Sequence, residues 1–403
     1  MKDKRILLCC NRTLGIGGIE KALTTFVKVF DTENNDVTLV LSDSNGELFQ
    51  QLPTKNVHIV YTGNINSVEL LKDDIKHFRI VEIAKGIYNR IMLRLNQNWY
   101  ARIMYTYRII QRKLQFQGPF DCAISFTTDY SDLSMALAAN ADKRVAFVHA
   151  DATQNPYIAT LNDGLLRQFD KIYCVSESSR EQFLQVHPDC ANAMDIFHNI
   201  VDIDEIRRQG ELPVEDMVLD GTPTLCTVGR LSPEKGQLLI PETASLLRKE
   251  GYIFRWYLVG DGSLRPQLEQ AINRLGLKEH VILLGAKANP YPYMKNCDVY
   301  VQTSFTEAYC ITVREACIFE KFIVATDFSS VQEQIMDGKN GLIAKKTAQS
   351  LAEKISVVLS SPERYSVELA ATQKNADGND MEKLYQYIEG LENGKIERNC
   401  SGL

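Results

Sequence analysis

Two cations that lie five residues apart are the clearest candidates for chemistry in this sequence. Arg230 and Lys235 follow the short apolar run 224–228, and Gly229 lets the backbone turn tightly beside a ligand. Fixed cations at the end of a strand stabilise the negative charge that develops on a departing diphosphate. The segment therefore predicts a diphosphate site that needs no metal. Two solvated loop cations are the alternative interpretation.

Two glutamates separated by seven residues form the second candidate pair. Glu307 follows the apolar run 299–302, and Glu315 lies about two turns into the helix expected next. Carboxylates that converge at the ends of parallel strands can bind sugar and ribose hydroxyls. The alternative is one helix cap and one solvated helix residue. The next apolar run, 322–326, favours the ligand-binding interpretation because it places the pair between two strands.

A glycine-rich segment follows the first apolar run of the chain. Gly17 and Gly18 precede Glu20, where a dinucleotide-binding fingerprint requires Gly or Ala, and this disfavours a dehydrogenase. We expect the segment to open a helix, and a plain tight turn is the alternative. His149 ends the apolar run 145–148. Ligand sites of α/β proteins lie at that end of strands, so we predict a direct role for His149 rather than a structural one.

Three further aspartates are candidate site residues: Asp151, Asp202 and Asp204. Asp151 is predicted to contact the acceptor or to orient His149. Asp202 and Asp204 spell the D-x-D of metal-dependent transferases, but Asp204 is as easily the cap of a following helix. We therefore predict no metal and no other cofactor.

The elements that position these residues are short apolar runs alternating with segments of helical spacing, which predict parallel strands and doubly wound α/β domains. The predicted strands are 5–10, 37–41, 57–61, 121–126, 144–149, 171–175, 224–228, 254–259, 281–284, 299–302 and 322–325. A polar seam near 198–222 divides the chain. We expect a first domain at 1–200, a second at 201–375, and a helical tail at 376–403.

Composition narrows the class of protein. The net charge of −6 argues against a nucleic-acid partner. The ten cysteines are scattered without metal-site spacing, which predicts reduced, buried thiols in a cytoplasmic protein. No signal peptide is predicted, and no stretch has the roughly 18 to 20 apolar residues of a membrane span.

Residues 75–113 depart from this pattern, with nine Lys or Arg against one acidic residue, Glu82, and with apolar residues at helical spacing. Such a basic amphipathic segment suits the surface of an anionic membrane, here the inner face of the cell membrane. Packing of its apolar face on its own domain is the alternative.

Four stretches give residues 224–341 a resemblance to the donor-binding domain of retaining GT-B glycosyltransferases, in the large group called family 4. They are V-G-R-L-x-x-x-K-G (228–236), V-G-x-G (259–262), E-x7-E (307–315) and G-x-x-G-L-I (338–343), in the order of that family. The resemblance implies a GT-B fold, with two Rossmann-like domains facing a central cleft. It also implies a C-terminal helix that crosses back to the first domain.

The resemblance also implies roles for individual residues. Arg230 and Lys235 would hold the donor diphosphate, Glu315 the ribose, and Glu307 and His149 would face the donor sugar. The donor-binding residues implied are Gly17, Gly18, Gly229, Arg230, Lys235, Gly260, Ala308, Tyr309, Cys310, Ile311 and Glu315. The acceptor-binding residues implied are Gly18, Glu20 and Asp151. One departure is visible: the family has Glu-Gly-Phe-Gly where this chain has Glu307 to Cys310 without either glycine, which narrows the site.

The expected activity is transfer of a sugar, with retention, from a UDP-sugar to a hydroxyl of a glycan or lipid-linked acceptor, as in bacterial surface-polysaccharide and cell-envelope synthesis. Two alternatives stay open at this point. A nucleotide-sugar epimerase of the same fold would form product from donor alone. An inactive scaffold protein would explain the altered loop at Glu307 to Cys310.

Overall fold

The computed structural model describes residues 2–62, 118–161, 163–361 and 379–390, together with the single residues Lys76 and Ala84. The predicted basic segment 75–113 lies outside the described residues apart from those two. No helix in the described part of the chain has the length and apolar character needed to span a membrane.

The first domain is built on a parallel sheet that, over the described ranges, has strand order β3-β2-β1-β4-β5-β6-β7. Its strands are β1 (Arg5–Cys9), β2 (Asp36–Leu41), β3 (Val57–Tyr61), β4 (Phe120–Ser125), β5 (Ala141–Val148), β6 (Lys171–Cys174) and β7 (Met194–Ile196). The order reverses direction between β1 and β4. In open α/β sheets the ligand crevice lies at the carboxyl ends of the strands beside such a reversal.

Helices cover both faces of this sheet, which explains why its strands read as nearly continuous apolar runs. The α-helices of the first domain are α1 (Gly18–Val29), α2 (Tyr130–Ala138), α3 (Pro156–Ala159), α4 (Asp163–Leu166) and α5 (Glu177–Val186). Phe26 on α1 packs with Phe126 and Phe147 on one face, and Leu133 on α2 is buried on the other.

The second domain repeats the plan, with strand order β10-β9-β8-β11-β12-β13 in a second parallel sheet. Its strands are β8 (Thr224–Val228), β9 (Arg255–Val259), β10 (Val281–Gly285), β11 (Val299–Gln302), β12 (Phe322–Thr326) and β13 (Gly341–Ala344). Its helices are α6 (Ile203–Gly210), α7 (Leu239–Lys249), α8 (Arg265–Arg274), α9 (Tyr291–Asn296), α10 (Ile311–Ile318) and α11 (Ala348–Ser360). The reversal here lies between β8 and β11, the two strands that precede the predicted cations and glutamates.

The C-terminal helix α12 (Asn379–Glu389) returns to the first domain, as the resemblance implies. Leu384, Tyr387 and Ile388 are buried in the core that includes β1 and α1. The Tyr385 hydroxyl accepts a hydrogen bond from the backbone N–H of Asp31 at 2.9 Å. The helix therefore packs against the first domain.

The eleven predicted strands are present within a few residues of their predicted bounds. The prediction omitted β7, which has three residues, and β13, which was interpreted only as a ligand motif. The nine cysteines among the described residues are buried and form no disulfide, as predicted.

Candidate active site

The predicted cations lie directly after β8, at the reversal of strand order in the second sheet. Arg230 is exposed and forms no ion pair with any described residue, whereas Lys235 ends a short 3-10 turn and is largely buried. Gly236 must be glycine in this turn, because its φ is +64° and a Cβ atom would lie 2.1 Å from the carbonyl oxygen of Thr303. The turn therefore packs tightly on the loop that carries Glu307.

Lys235 and Glu307 bind each other directly. The Lys235 ammonium donates to Oε1 of Glu307 at 2.6 Å, and the Ser304 hydroxyl donates to the same oxygen at 2.6 Å. Burial alone would lower the pKa of Lys235, but the Glu307 carboxylate outweighs it, so the pKa is raised above its ordinary value. Lys235 is therefore a permanent cation held at the strand end. The sequence identified both residues but not their mutual contact.

The loop after Glu307 leads into a helix N-terminus without a side-chain cap. Cys310 is the N-cap residue of α10 and has a left-handed backbone, with φ of +67° and ψ of +74°. This is one of the two positions where the related family carries glycine, the residue that adopts this conformation without strain. The first N–H groups of a helix attract anions. The N-terminus of α10 therefore favours an anionic ligand, as the cations after β8 do.

The second glutamate of the pair lies at the junction of the two domains. Glu315 on α10 is 1% exposed, and its Oε1 lies 2.5 Å from the ammonium of Lys21 on α1. The Tyr291 hydroxyl donates to the same Oε1 at 3.2 Å. Lys21 and Tyr291 were not predicted, because neither lies in a recognisable motif and Lys21 comes from the other domain.

Gly17 and Gly18 form the N-terminus of α1 beside Lys21. Gly17 is the N-cap residue and supplies no side-chain cap, and a Cβ atom at Gly18 would meet nothing within 4 Å. Glu20 lies in the first turn of α1 and forms a 3.5 Å ion pair with Arg12. The predicted glycine segment therefore does open a helix whose first N–H groups are uncapped, close to the second domain.

His149 follows β5 at the carboxyl edge of the first sheet, and its ring packs against Phe126 with centroids 4.8 Å apart. Its Nε2 atom is buried and has no hydrogen-bond partner in the described ranges. Burial, assisted by Arg12, lowers the pKa of His149 to about 4. The imidazole is therefore neutral at pH 7 and retains one unused ring nitrogen. Its direct role in the site stays a prediction.

Other predicted positions carry local structure. Asp151 accepts hydrogen bonds from Thr153, through both N–H and hydroxyl, and so holds a turn; its acceptor role stays a prediction. Asp202, rather than Asp204, caps α6 by accepting from the N–H of Glu205 at 3.0 Å. A Cβ atom at Gly260 would lie 1.9 Å from the carbonyl oxygen of Gly229, so this glycine brings the ends of β8 and β9 together.

Further contacts join the domains across the cleft. Ser176 donates its hydroxyl to the carbonyl oxygen of Ala308 at 2.6 Å. The Glu333 carboxylate accepts the backbone N–H groups of Glu177 and Ser178 at 3.0 and 2.9 Å, at the start of α5. The loop that follows Glu307 thus lies directly against the first domain. These contacts have no signal in the sequence, because each joins residues from separate motifs.

Comparison with known proteins relates the second domain to a family. Residues 212–376 match the model of the family described as Glycosyl transferases group 1. The match therefore covers most of the second domain. The matched residues include the predicted cations and glutamates.

Relatives and solved structures extend the comparison. The chain is 28% identical over 177 residues to a Campylobacter jejuni N-acetylgalactosamine-N,N'-diacetylbacillosaminyl-diphospho-undecaprenol 4-alpha-N-acetylgalactosaminyltransferase, covering 44% of this chain and 47% of that protein. It is 30% identical over 165 residues to the alpha-D-kanosaminyltransferase of Streptomyces kanamyceticus, covering 40% and 42%. The aligned segments thus span less than half of either relative.

The solved structure of HepE from Anabaena in complex with UDP-glucose has a TM-score of 0.66 at 18% identity, covering 96% of this chain and 99% of that one. The likeness, with the two parallel-sheet domains, shows that this chain has the GT-B fold.

Proposed function

We propose that this protein is a retaining glycosyltransferase of the family 4 type. It moves a sugar from a nucleoside diphosphate sugar to a hydroxyl of a glycan or lipid-linked acceptor. The observation that carries the proposal is the Lys235–Glu307 pair at the reversal of strand order, with Arg230 just after β8 and the uncapped N-terminus of α10 just after Glu307. All three favour a diphosphate in a group 1 glycosyltransferase domain.

The chemistry follows from the charges at this edge. The bond between the anomeric carbon and the donor phosphate breaks, and negative charge collects on the departing diphosphate. Arg230 and Lys235 stabilise that charge without a metal. A new bond forms between the anomeric carbon and the acceptor oxygen, on the same face of the sugar. The acceptor proton passes to an oxygen of the leaving phosphate, as in the front-face substitution that the family resemblance implies, and Glu307 stays paired with Lys235.

The remaining donor contacts are assigned by position. Glu307 and the neutral His149 face the donor sugar, Glu315 binds the ribose, and the start of α1 at Gly18 contacts donor phosphate and acceptor. Uridine is our choice of donor base. It is supported by the UDP complexes of HepE, a protein of the same fold.

The acceptor assignment rests on the sequence of residues 75–113. Nine cations against one acidic residue suit an anionic membrane surface, where a lipid-linked acceptor of the cell envelope would lie. Flotation with vesicles tests this: we expect the protein to bind vesicles that contain anionic lipid and not neutral ones, and to be released by salt. Equal recovery with both vesicle types would contradict the membrane assignment.

The donor site is tested by calorimetric titration with UDP, GDP, ADP and CMP in the presence of EDTA. We expect UDP to bind the wild-type protein and Arg230→Met to weaken binding about ten-fold, since a charge-assisted phosphate contact contributes about 1.5 to 3 kcal/mol. Arg230 suits this test because its removal leaves no buried partner unpaired. The matched control is Lys249→Met, an exposed cation at the far end of α7. Absence of binding by every nucleotide would refute the donor site.

A further inference from the structure

A cation of the first domain already holds the carboxylate to which the proposed function assigns the donor ribose. Oε1 of Glu315 contacts the Lys21 ammonium at 2.5 Å and accepts from the Tyr291 hydroxyl at 3.2 Å. The same ammonium lies 4.4 Å from the centre of the Tyr291 ring. Oε1 therefore has one partner from each domain.

The other carboxylate oxygen of Glu315 has no such partner. Oε2 is buried and receives no hydrogen bond from any residue that the structure describes. An unpaired buried polar atom costs about 1 to 3 kcal/mol, and more when it belongs to a charged group. A ribose presents two neighbouring hydroxyl donors, and a carboxylate can accept both. Glu315 thus has one oxygen free for a ribose hydroxyl, while its other oxygen is held by Lys21 and Tyr291.

Access to this carboxylate is controlled by the first domain. The Glu315 side chain is 1% exposed, while the Lys21 side chain that covers it is 31% exposed. Tyr291 is 6% exposed and fixed in the core of its own domain. Lys21, with a flexible four-carbon stem at the edge of the contact, is therefore the partner that can leave.

We propose that Lys21 competes with the donor ribose for Glu315, so that the nucleotide binds fully only after Lys21 has left the carboxylate. The inference rests on the proposed function, because it takes Glu315 as the ribose ligand. With competition of this kind, the apparent donor affinity is the intrinsic affinity multiplied by the fraction of protein in which Glu315 is free of Lys21. It also assists product release, since Lys21 returns to Glu315 as the spent nucleotide departs.

The test compares two probes on matched variants by calorimetry. UDP carries a ribose, whereas inorganic pyrophosphate reaches Arg230 and Lys235 but has no ribose for Glu315. Lys21→Met is expected to bind UDP about five to ten times more tightly than the wild type and pyrophosphate with unchanged affinity. Lys21→Arg keeps the ion pair and is expected to bind UDP like the wild type. Lys28→Met, at a half-buried lysine of the same helix that bonds Gln51, controls for the loss of one positive charge.

Each other outcome separates the two proposals. Unchanged UDP affinity in Lys21→Met would overturn the competition. Weaker binding of both UDP and pyrophosphate would overturn it too, because Lys21 would then be a ligand of the donor phosphates. Binding of UDP by no protein in the series would contradict the donor site itself. A folded Lys21→Arg protein with wild-type affinity guards against a misfolded Lys21→Met variant.

Discussion

Glu307 and Glu315 belong to one sequence pattern and one domain, yet their surroundings differ in kind. Glu307 lies in a loop and finds its cation, Lys235, within its own domain. Glu315 lies on a helix and finds its cation, Lys21, on the other side of the cleft. The Lys235–Glu307 pair is thus complete within the second domain, while the Lys21–Glu315 contact depends on both domains being close together.

The difference suggests a division of work. Lys235 and Glu307 stay fixed relative to each other when the domains move, because β8 and β11 are adjacent strands that hold both. A preorganised cation suits the stabilisation of developing charge. The Lys21–Glu315 contact breaks when the domains separate, which suits a residue that governs binding and release. We expect substitutions in the two regions to affect different kinetic constants.

The largest expected effect comes from Glu307→Gln. It removes the counter-charge that positions Lys235, so we expect kcat to fall about 100-fold, with a smaller change in KM. The measurement is the steady-state rate of UDP release from a UDP-sugar that the wild-type protein uses as donor. Glu250→Gln, at an exposed position after α7, is the control. A raised KM with unchanged kcat would mean that Glu307 acts only in substrate binding.

Glu315→Gln is the corresponding substitution at the second glutamate. Loss of a charged hydrogen-bond acceptor for the ribose should raise KM with kcat nearly unchanged. We expect about a five-fold rise, because the competing Lys21 contact disappears together with the ribose contact. A fall in kcat as large as that of Glu307→Gln would remove the distinction between the two regions.

The fold was largely predictable because buried parallel strands are marked by short apolar runs bounded by turn residues. The strand β7 was not predicted because its three residues, Met194 to Ile196, are too few to show a pattern. The strand β13 was not predicted because it begins with Gly341, and glycine is typical of turns and ligand loops.

The candidate site was predictable where residues follow a strand and unpredictable where they meet across the cleft. Arg230, Lys235 and Glu307 could be located because each lies just beyond an apolar run. The Lys21–Glu315 contact could not, because nothing near Lys21 in the sequence distinguishes it from Lys28, another half-buried lysine of the same helix. Only the packing of two domains selects one of the two lysines.

The smallest predicted effect concerns the backbone of the loop 307–310. Cys310 has a φ of +67°, in the left-handed region where a Cβ atom approaches the carbonyl oxygen, and it is 6% exposed. Cys310→Gly and Cys310→Ala both delete the thiol, so their difference isolates the Cβ atom. We expect the glycine variant to be more stable by about 1 kcal/mol.

Thermal unfolding of the two variants in one buffer, with and without UDP, measures this difference. For a domain of this size it corresponds to a melting temperature about 2 to 4 °C higher for the glycine variant. An alanine variant as stable as the glycine variant would show that the loop relaxes out of the left-handed conformation. If UDP raises the melting temperature of both variants equally, the loss of the glycine that the family has at this position affects only the strain of the loop. A larger shift with glycine would mean that the Cβ atom also narrows the donor site.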